Sequence, residues 1–401
     1  MKQPPLPLEN AQARLLALAE PLPVERVTVE EALGRYLAEP LKARRTQPAA
    51  DLSAMDGYAM LSDNMAGPWR VVGESAAGHP FAGTVRAGEA VRISTGAVMP
   101  AGGDAVILQE DLTRDGDRLT LTGEPPSPPG KHIRCRGMDF HEGNEVLQPG
   151  TRIGPAQAAL AVSAGHGHLA VRRRPRIAII DSGDELSPDC ENCAAHQLPA
   201  SNGIMLAAMA ADIPCEITRF GPVTDNMDAL VQALGQAGEA DVIVTSGGAS
   251  VGDHDLVRPA LEAWGAELDF WKVAIKPGKP ILVARRGWQI VLGLPGNPAS
   301  CHVTAFLFLL PLLRTLSGAA SPLPRQITAR LGAPLKPGGS RREFLRASWT
   351  GTEILPQTVQ DSGALGALSA SNVLIDSPAG APARAPGEEV TAYLLVHGGV
   401  A

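Results

Sequence analysis

The sequence predicts a multidomain protein of the α/β plus β class, centred on an α/β unit with a mostly parallel sheet covered on both faces. Two observations carry that expectation. Between Arg176 and about Leu316, short β-branched runs alternate with helical stretches, the pattern of right-handed βαβ units. From about Lys42 to Glu142, and again after Ser321, short apolar runs are separated by Gly, Pro and Asp, as in small all-β domains. At 401 residues the chain is also too long for a single core.

Taken in order, the chain should open with a helix (about Leu8 to Ala19), a short strand (Glu25 to Thr28) and a second helix (Val29 to Leu37). Runs such as Trp69–Val72, Ala90–Ile93 and Ala105–Leu108 then read as strands, and the proline-rich stretch 123–130 as a surface loop. A helical patch (Pro155 to Ala164) precedes strand Arg176–Ile180, helix Ser201–Ala211, strand Cys215–Phe220, helix Asp225–Leu234 and strand Asp241–Thr245. A helix from Asp253 to Trp264, a strand Gln289–Gly293 and a long apolar helix from about Ala299 to Leu316 complete the α/β part. Four further strands (Arg325–Leu331, Glu343–Ser348, Val373–Asp376, Glu389–Val396) suggest a C-terminal β-barrel or sandwich.

Composition narrows the function classes. Hydrophobic content of 44% with 19% charged residues suits a folded, soluble protein. A net charge of −7 and only 4% aromatics argue against a nucleic-acid-binding surface. The start lacks signal-peptide features, and the most apolar stretch, Val303 to Leu313, is short for a bilayer and carries Pro311. The expectation is a cytoplasmic protein with no membrane partner, its five cysteines reduced.

Three glycine-proline loops crowd residues 241–300: Ser246-Gly-Gly-Ala-Ser-Val-Gly252, Lys276-Pro-Gly-Lys-Pro280 and Leu294-Pro-Gly-Asn-Pro298. A strand that turns through small residues into a helix leaves backbone N–H groups pointing outward, ready for an oxyanion. Lys276 and Lys279 share a stiff turn and can face one anion. Ligands of such sheets bind beyond the carboxyl ends of the strands, where the loops at Asp181, Ser246 and Leu294 fall. Asp184, Glu185, Asp225, Asp253 and Asp255 stand beside these loops. Each is open to two readings, a helix cap or a ligand of Mg²⁺ bridging to a phosphate. Asp56, in Ser53-Ala-Met-Asp-Gly-Tyr-Ala59, reads locally as an Asp-Gly turn. Arg134 and Arg136, in Ile133-Arg-Cys-Arg-Gly-Met-Asp139, can clamp an oxyanion or merely face solvent.

Together with Ser94-Thr-Gly-Ala97 and Ser182-Gly-Asp-Glu-Leu186, these motifs stand in the order found in the molybdopterin molybdenumtransferase (MoeA) family, which includes the E domain of gephyrin. The chain resembles that family over nearly its whole length. The resemblance implies four domains: a linking domain (24–42 and 143–170), a small β-rich domain (43–142), a molybdopterin-binding α/β domain (5–23 and 171–320) and a C-terminal β-barrel (321–401). It implies an elongated homodimer whose active cleft is shared between subunits. The implied activity is insertion of molybdate into adenylated molybdopterin with release of AMP, dependent on Mg²⁺.

By the same resemblance the catalytic positions are Asp56, Asp139, Glu185, Asp225, Asp255, Lys276 and Lys279, with Glu185, Asp225 and Asp255 as metal ligands. Substrate would be held by Thr95, Arg134, Ser182, Gly183, Ser246, Gly247, Gly248, Ser250, Gly252, Pro295 and Asn297. Of these, Asp56, Thr95, Arg134 and Asp139 would reach in from the partner subunit. A molybdopterin adenylyltransferase is an implied partner. The alternative is a non-catalytic molybdopterin-binding scaffold of the gephyrin type. The sequence retains the cleft acids and lysines that a scaffold could lose. Cys190-Glu-Asn-Cys193 with His196 lacks a fourth zinc ligand and reads as free thiols in a loop, and His166-Gly-His168 as a surface loop.

Overall fold

A computed structural model of the chain describes residues 4–247 and 256–395. Its centre is a six-stranded sheet in the order 216–223, 176–182, 242–246, 289–294, 282–286, 267–271. The first four strands run parallel; Leu282–Arg286 and Glu267–Trp271 are antiparallel additions that the expected alternation did not include. Side-chain alternation sends successive residues to opposite faces. Ile177, Ile179, Val242 and Val244 enter one core with Leu8, Leu15, Leu206 and the helix over 298–316. Ala178, Ile180 and Ile243 enter the other with Leu230, Leu234, Val257 and Leu261. The sheet is therefore covered on both faces, and the N-terminal helix Leu8–Ala17 belongs to its first core.

The helix Pro298–Leu316 is long and apolar enough to cross a membrane, yet 83% of it is buried within the protein. It is a core helix, longer than the apolar run that stands out in the sequence.

Two short ladders join this unit to the rest: Val24–Thr28 with His168–Arg172, and Leu41–Lys42 with Glu145–Leu147. The expected helix over Val29 to Leu37 is instead a run of turns. Gly34 adopts φ +77°, its N–H bonds Ile153 O, and the Leu37 N–H bonds Thr151 O. Pairing with a distant segment outcompetes the local helical preference. His166 is buried, with Nε2 2.8 Å from Lys42 O, so it pins the ladder and is not part of a surface loop.

The small β region holds a mixed six-stranded sheet in the order 105–108, 57–60, 89–93, 69–75, 118–121, 112–115. At the C-terminus Arg342–Trp349, Glu353–Pro356, Gln326–Leu331, Glu389–Leu394 and Val373–Ser377 close into a five-stranded barrel, because Val373–Ser377 pairs back onto Arg342–Trp349. Glu353–Pro356 was not foreseen. A two-residue strand, Ile275–Lys276, extends this barrel from the α/β unit.

Candidate active site

Strand register builds the site. Asp181 pairs with Ser246 and Ser246 with Leu294, so the three expected loop origins lie side by side at the carboxyl edge. Leu282 pairs with Gly293, which brings the Lys276–Pro280 loop to the same edge. Beyond it opens a cleft of about 770 Å³. Ser182, Gly183, Gly247, Pro295 and Asn297 line it, as do the acids Glu185 and Asp225.

Close backbone approach sets this edge. Gly247 has φ +105°, and a Cβ there would stand 2.5 Å from Ser182 O. No other residue fits that turn without moving the backbone. Asn202 Nδ2 donates to Ser246 Oγ (2.8 Å) and Gly296 O (2.6 Å), tying a helix start to two of the loops. The Asp225 N–H donates to Asp184 Oδ1 (3.0 Å) and the Asp184 N–H to Asp225 Oδ2 (3.4 Å), a reciprocal clasp that orients both carboxylates. Asn226, and not Asp225, caps helix Met227–Gln236 through the Asp228 and Ala229 N–H groups. The capping explanation for Asp225 therefore falls.

A second cavity, about 340 Å³, adjoins the first at Pro280. Lys276, Lys279, Arg341, Arg346, Ser300 and Ser362 line it. Lys276 Nζ is paired with Glu343 Oε1 at 3.2 Å, while Lys279 is exposed and has no ion pair among the described residues. Arg346 is fully buried. Its Nη2 donates to Asp361 O (3.0 Å), but Nε and Nη1 have no partner among the described residues. Burial pulls its pKa down, opposed by Asp361. A buried guanidinium normally has its N–H groups satisfied, since each orphan donor costs about 1–3 kcal/mol. Two nitrogens without partners, on a residue that lines the same cavity as two lysines, give this cavity a chemistry suited to an anion.

Arg346, Arg341, Ser300 and Ser362 are absent from the sequence-based set. Nothing in the strand's alternation marked Arg346, which shares its face with Arg342, Phe344 and Ser348, while Leu345, Ala347 and Trp349 fill the barrel.

Asp56, Thr95, Arg134 and Asp139 line neither cavity. They gather instead on one exposed face of the small β region, organised by residues 47–56. The Thr95 N–H donates to Asp56 Oδ1 (2.6 Å), Arg134 pairs with Leu52, and the Asp139 N–H donates to Gln47 O. The Thr95 backbone donor holds the Asp56 carboxyl below its ordinary pKa, with the Thr95 side chain and Arg92 adding to the effect. The Thr95 N–H thus orients the exposed Asp56 carboxyl. Met55 and Met138, both exposed, flank the face.

No trio of His, Cys, Asp and Glu able to hold a metal occurs among the described residues. Glu185 and Asp225 nonetheless share the cleft as oxygen donors, and Mg²⁺ is commonly held by one or two carboxylates together with substrate phosphates. The donor set fits that ion. Gly248, Ser250, Gly252 and Asp255, expected as the phosphate loop and third metal ligand, lie outside the described residues. Cys190 is exposed and Cys193 half-buried, both as free thiols.

Three family models cover most of the chain. They are the MoeA N-terminal region (domain I and II) at residues 6–165, a probable molybdopterin binding domain at 178–315, and the MoeA C-terminal region (domain IV) at 328–395. A relative from a Nostoc species named molybdopterin molybdenumtransferase is 34% identical, the match covering 87% of this chain and 82% of that protein. One of the same name from Haemophilus influenzae is 34% identical over 85% of each. A solved molybdopterin biosynthesis MoeA protein from Pyrococcus horikoshii matches with TM-score 0.85 and 27% identity, covering 98% of this chain and 100% of that one.

Proposed function

The chain belongs to the molybdopterin molybdenumtransferase (MoeA) family and is an enzyme of molybdenum cofactor biosynthesis; from that premise we propose how its cleft performs the transfer. The reaction is insertion of molybdate into adenylated molybdopterin with release of AMP. One observation carries this reading: a lysine- and arginine-lined cavity with a buried, incompletely bonded guanidinium opens beside an acid-lined cleft.

The basic cavity receives molybdate. Lys279 and the free N–H groups of Arg346 bring a dianion beside an already anionic substrate, at a place where charge-assisted hydrogen bonds are strong. Lys276 contributes less, since Glu343 already takes part of its charge. The glycine-edged cleft holds the adenylated pterin, with Gly183, Gly247, Pro295 and Asn297 shaping its walls. Glu185 and Asp225 would hold a Mg²⁺, which would supply charge neutralisation on the leaving phosphate. No side chain need act as a covalent nucleophile, because an oxygen of molybdate can attack.

The exposed face bearing Asp56, Thr95, Arg134 and Asp139 completes the site from a second subunit of a homodimer. Met55 and Met138 beside that face, and Leu198 and Leu365 on the cleft rim, are all exposed in the single chain and are apolar surface a second subunit would cover. Four domains with the boundaries given above and a cytoplasmic location belong to the same proposal.

The test is AMP release from adenylated molybdopterin by the purified protein with Mg²⁺, with and without molybdate. Molybdate-dependent release is expected. Tight pterin binding without such release would leave a scaffold or carrier.

A further inference from the structure

Strand Arg176–Ser182 ends in an acid that the proposed reaction does not use. Asp181 is 4% exposed and lines the cleft. Its Oδ2 accepts the Gly203 N–H at 3.1 Å, while Oδ1 has no full hydrogen bond among the described residues. Gly203 is tailored to it: a Cβ there would stand 2.2 Å from Oδ2. Burial pushes the Asp181 carboxyl above its ordinary pKa, with Arg219, the Gly203 N–H and the Ser246 hydroxyl opposing.

Two further orphan atoms line the same cleft, Ser182 Oγ and Asn202 Oδ1. The orientation of the Asn202 amide follows from its bonds. Gly296 O only accepts, so Nδ2 must face it, and Oδ1 is left over. Among the described residues, the cleft thus holds two acceptors and a hydroxyl without a full hydrogen bond. Each such buried group is destabilising unless a ligand satisfies it.

We propose that Asp181 determines specificity for the pterin, accepting hydrogen bonds from its 2-amino-4-oxopyrimidine edge together with Asn202 and Ser182. This rests on the reading of the cleft as the site of adenylated molybdopterin. The pterin edge carries a ring N–H and an exocyclic amine side by side, two adjacent donors for two acceptors. Adenine matches less well, because its amine is flanked by ring nitrogens that only accept and would face Asp181 and Asn202 unpaired. The phosphate end then extends toward Gly247 and the lysines.

The experiment is a fluorescence titration of the full-length protein with pterin, and a competition of pterin against lumazine, which has a carbonyl in place of the 2-amino group. Wild-type protein should bind pterin at least tenfold more tightly than lumazine, by about the strength of one charge-assisted hydrogen bond. Asp181→Asn keeps an acceptor for the Gly203 N–H but turns a donor toward the ligand. It should lose the preference and raise the KM for adenylated molybdopterin about tenfold or more, with kcat little changed. Equal binding of the two pteridines by wild type, or an unchanged preference in Asp181→Asn, would overturn the assignment. So would a variant with lowered melting temperature and unchanged KM, which marks a structural role. Titration needs no turnover. Wild-type protein that prefers pterin but releases no AMP would keep this recognition and remove the transferase reading.

Discussion

The α/β cleft and the exposed face of the small β region carry the two halves of the proposed site, and they are built in opposite ways. In the cleft, polar atoms are buried and left without partners: Asp181 Oδ1, Asn202 Oδ1 and, in the adjoining cavity, two nitrogens of Arg346. On the small β face the functional groups are exposed and already oriented by backbone, as Asp56 is by the Thr95 N–H. Unsatisfied buried groups point to a ligand; satisfied exposed groups point to a surface waiting for a wall. A cleft keeps its ligand-directed atoms dry, whereas a docking face must remain soluble until it docks.

The sharpest way to break this comparison is to separate the halves. Asp56→Asn should leave folding and dimerisation intact and lower turnover more than a hundredfold. Mixed and refolded with Lys279→Gln, and assayed at a molybdate concentration too low for Lys279→Gln alone to turn over, it should regain about a quarter of wild-type activity, since half the dimers are hybrids with one intact site in two. No recovery on mixing, in an assay of molybdate-dependent AMP release, would put both residues in one subunit's site.

Arg346→Met tests the cavity side. It keeps the bulk of a buried side chain and removes a guanidinium whose burial is costly, so thermal stability should hold or rise. Molybdate half-saturation should rise about a hundredfold, the larger end of what a lost charged contact is worth. Lys279→Gln should raise it tenfold to a hundredfold, and Lys276→Gln less, because Lys276 is shared with Glu343. Equal effects of the two lysines, measured by AMP release against molybdate concentration, would contradict that ranking.

Asp181→Asn also has a signed effect on stability. The raised Asp181 pKa means that the folded state favours the neutral acid, so its contribution is fully present at low pH and is lost as pH rises through the folded pKa. The variant should therefore gain stability relative to wild type as pH rises above the ordinary carboxylate range, about pH 4. A melting-temperature difference that shrinks as pH rises from there would contradict the burial argument. The smallest effect is chemical. Burial pushes the Cys215 and Cys301 thiols up to about 12, so at pH 8 iodoacetamide should modify exposed Cys135 and Cys190 and spare those two, as read by peptide mass spectrometry.

Several features of this site were legible before any coordinates. Apolar runs ending in Gly and Pro marked where strands stop, so the loops at Asp181, Ser246 and Leu294 were expected at one edge, where the strand register places them. Acids were expected beside those loops, Asp184 or Glu185 after the first strand and Asp225 after the next, and Glu185 and Asp225 line the cleft. Misreadings arose where a distant partner decides the outcome. The turn run at Val29–Gly34 has helical composition but bonds to residues 151–153. His166 sits in a glycine-rich stretch and is buried by Lys42.

What the sequence by itself determined is the alternation of strands and helices and the loops at their ends. Those depend on side-chain period and on residues with special backbone freedom, both local properties. Only the tertiary structure decided that Arg346, from a separate barrel, lies beside Lys279, and that Asp181 keeps one oxygen without a partner. Whether a polar atom is satisfied depends on every group packed around it, and those groups come from segments far apart in the chain.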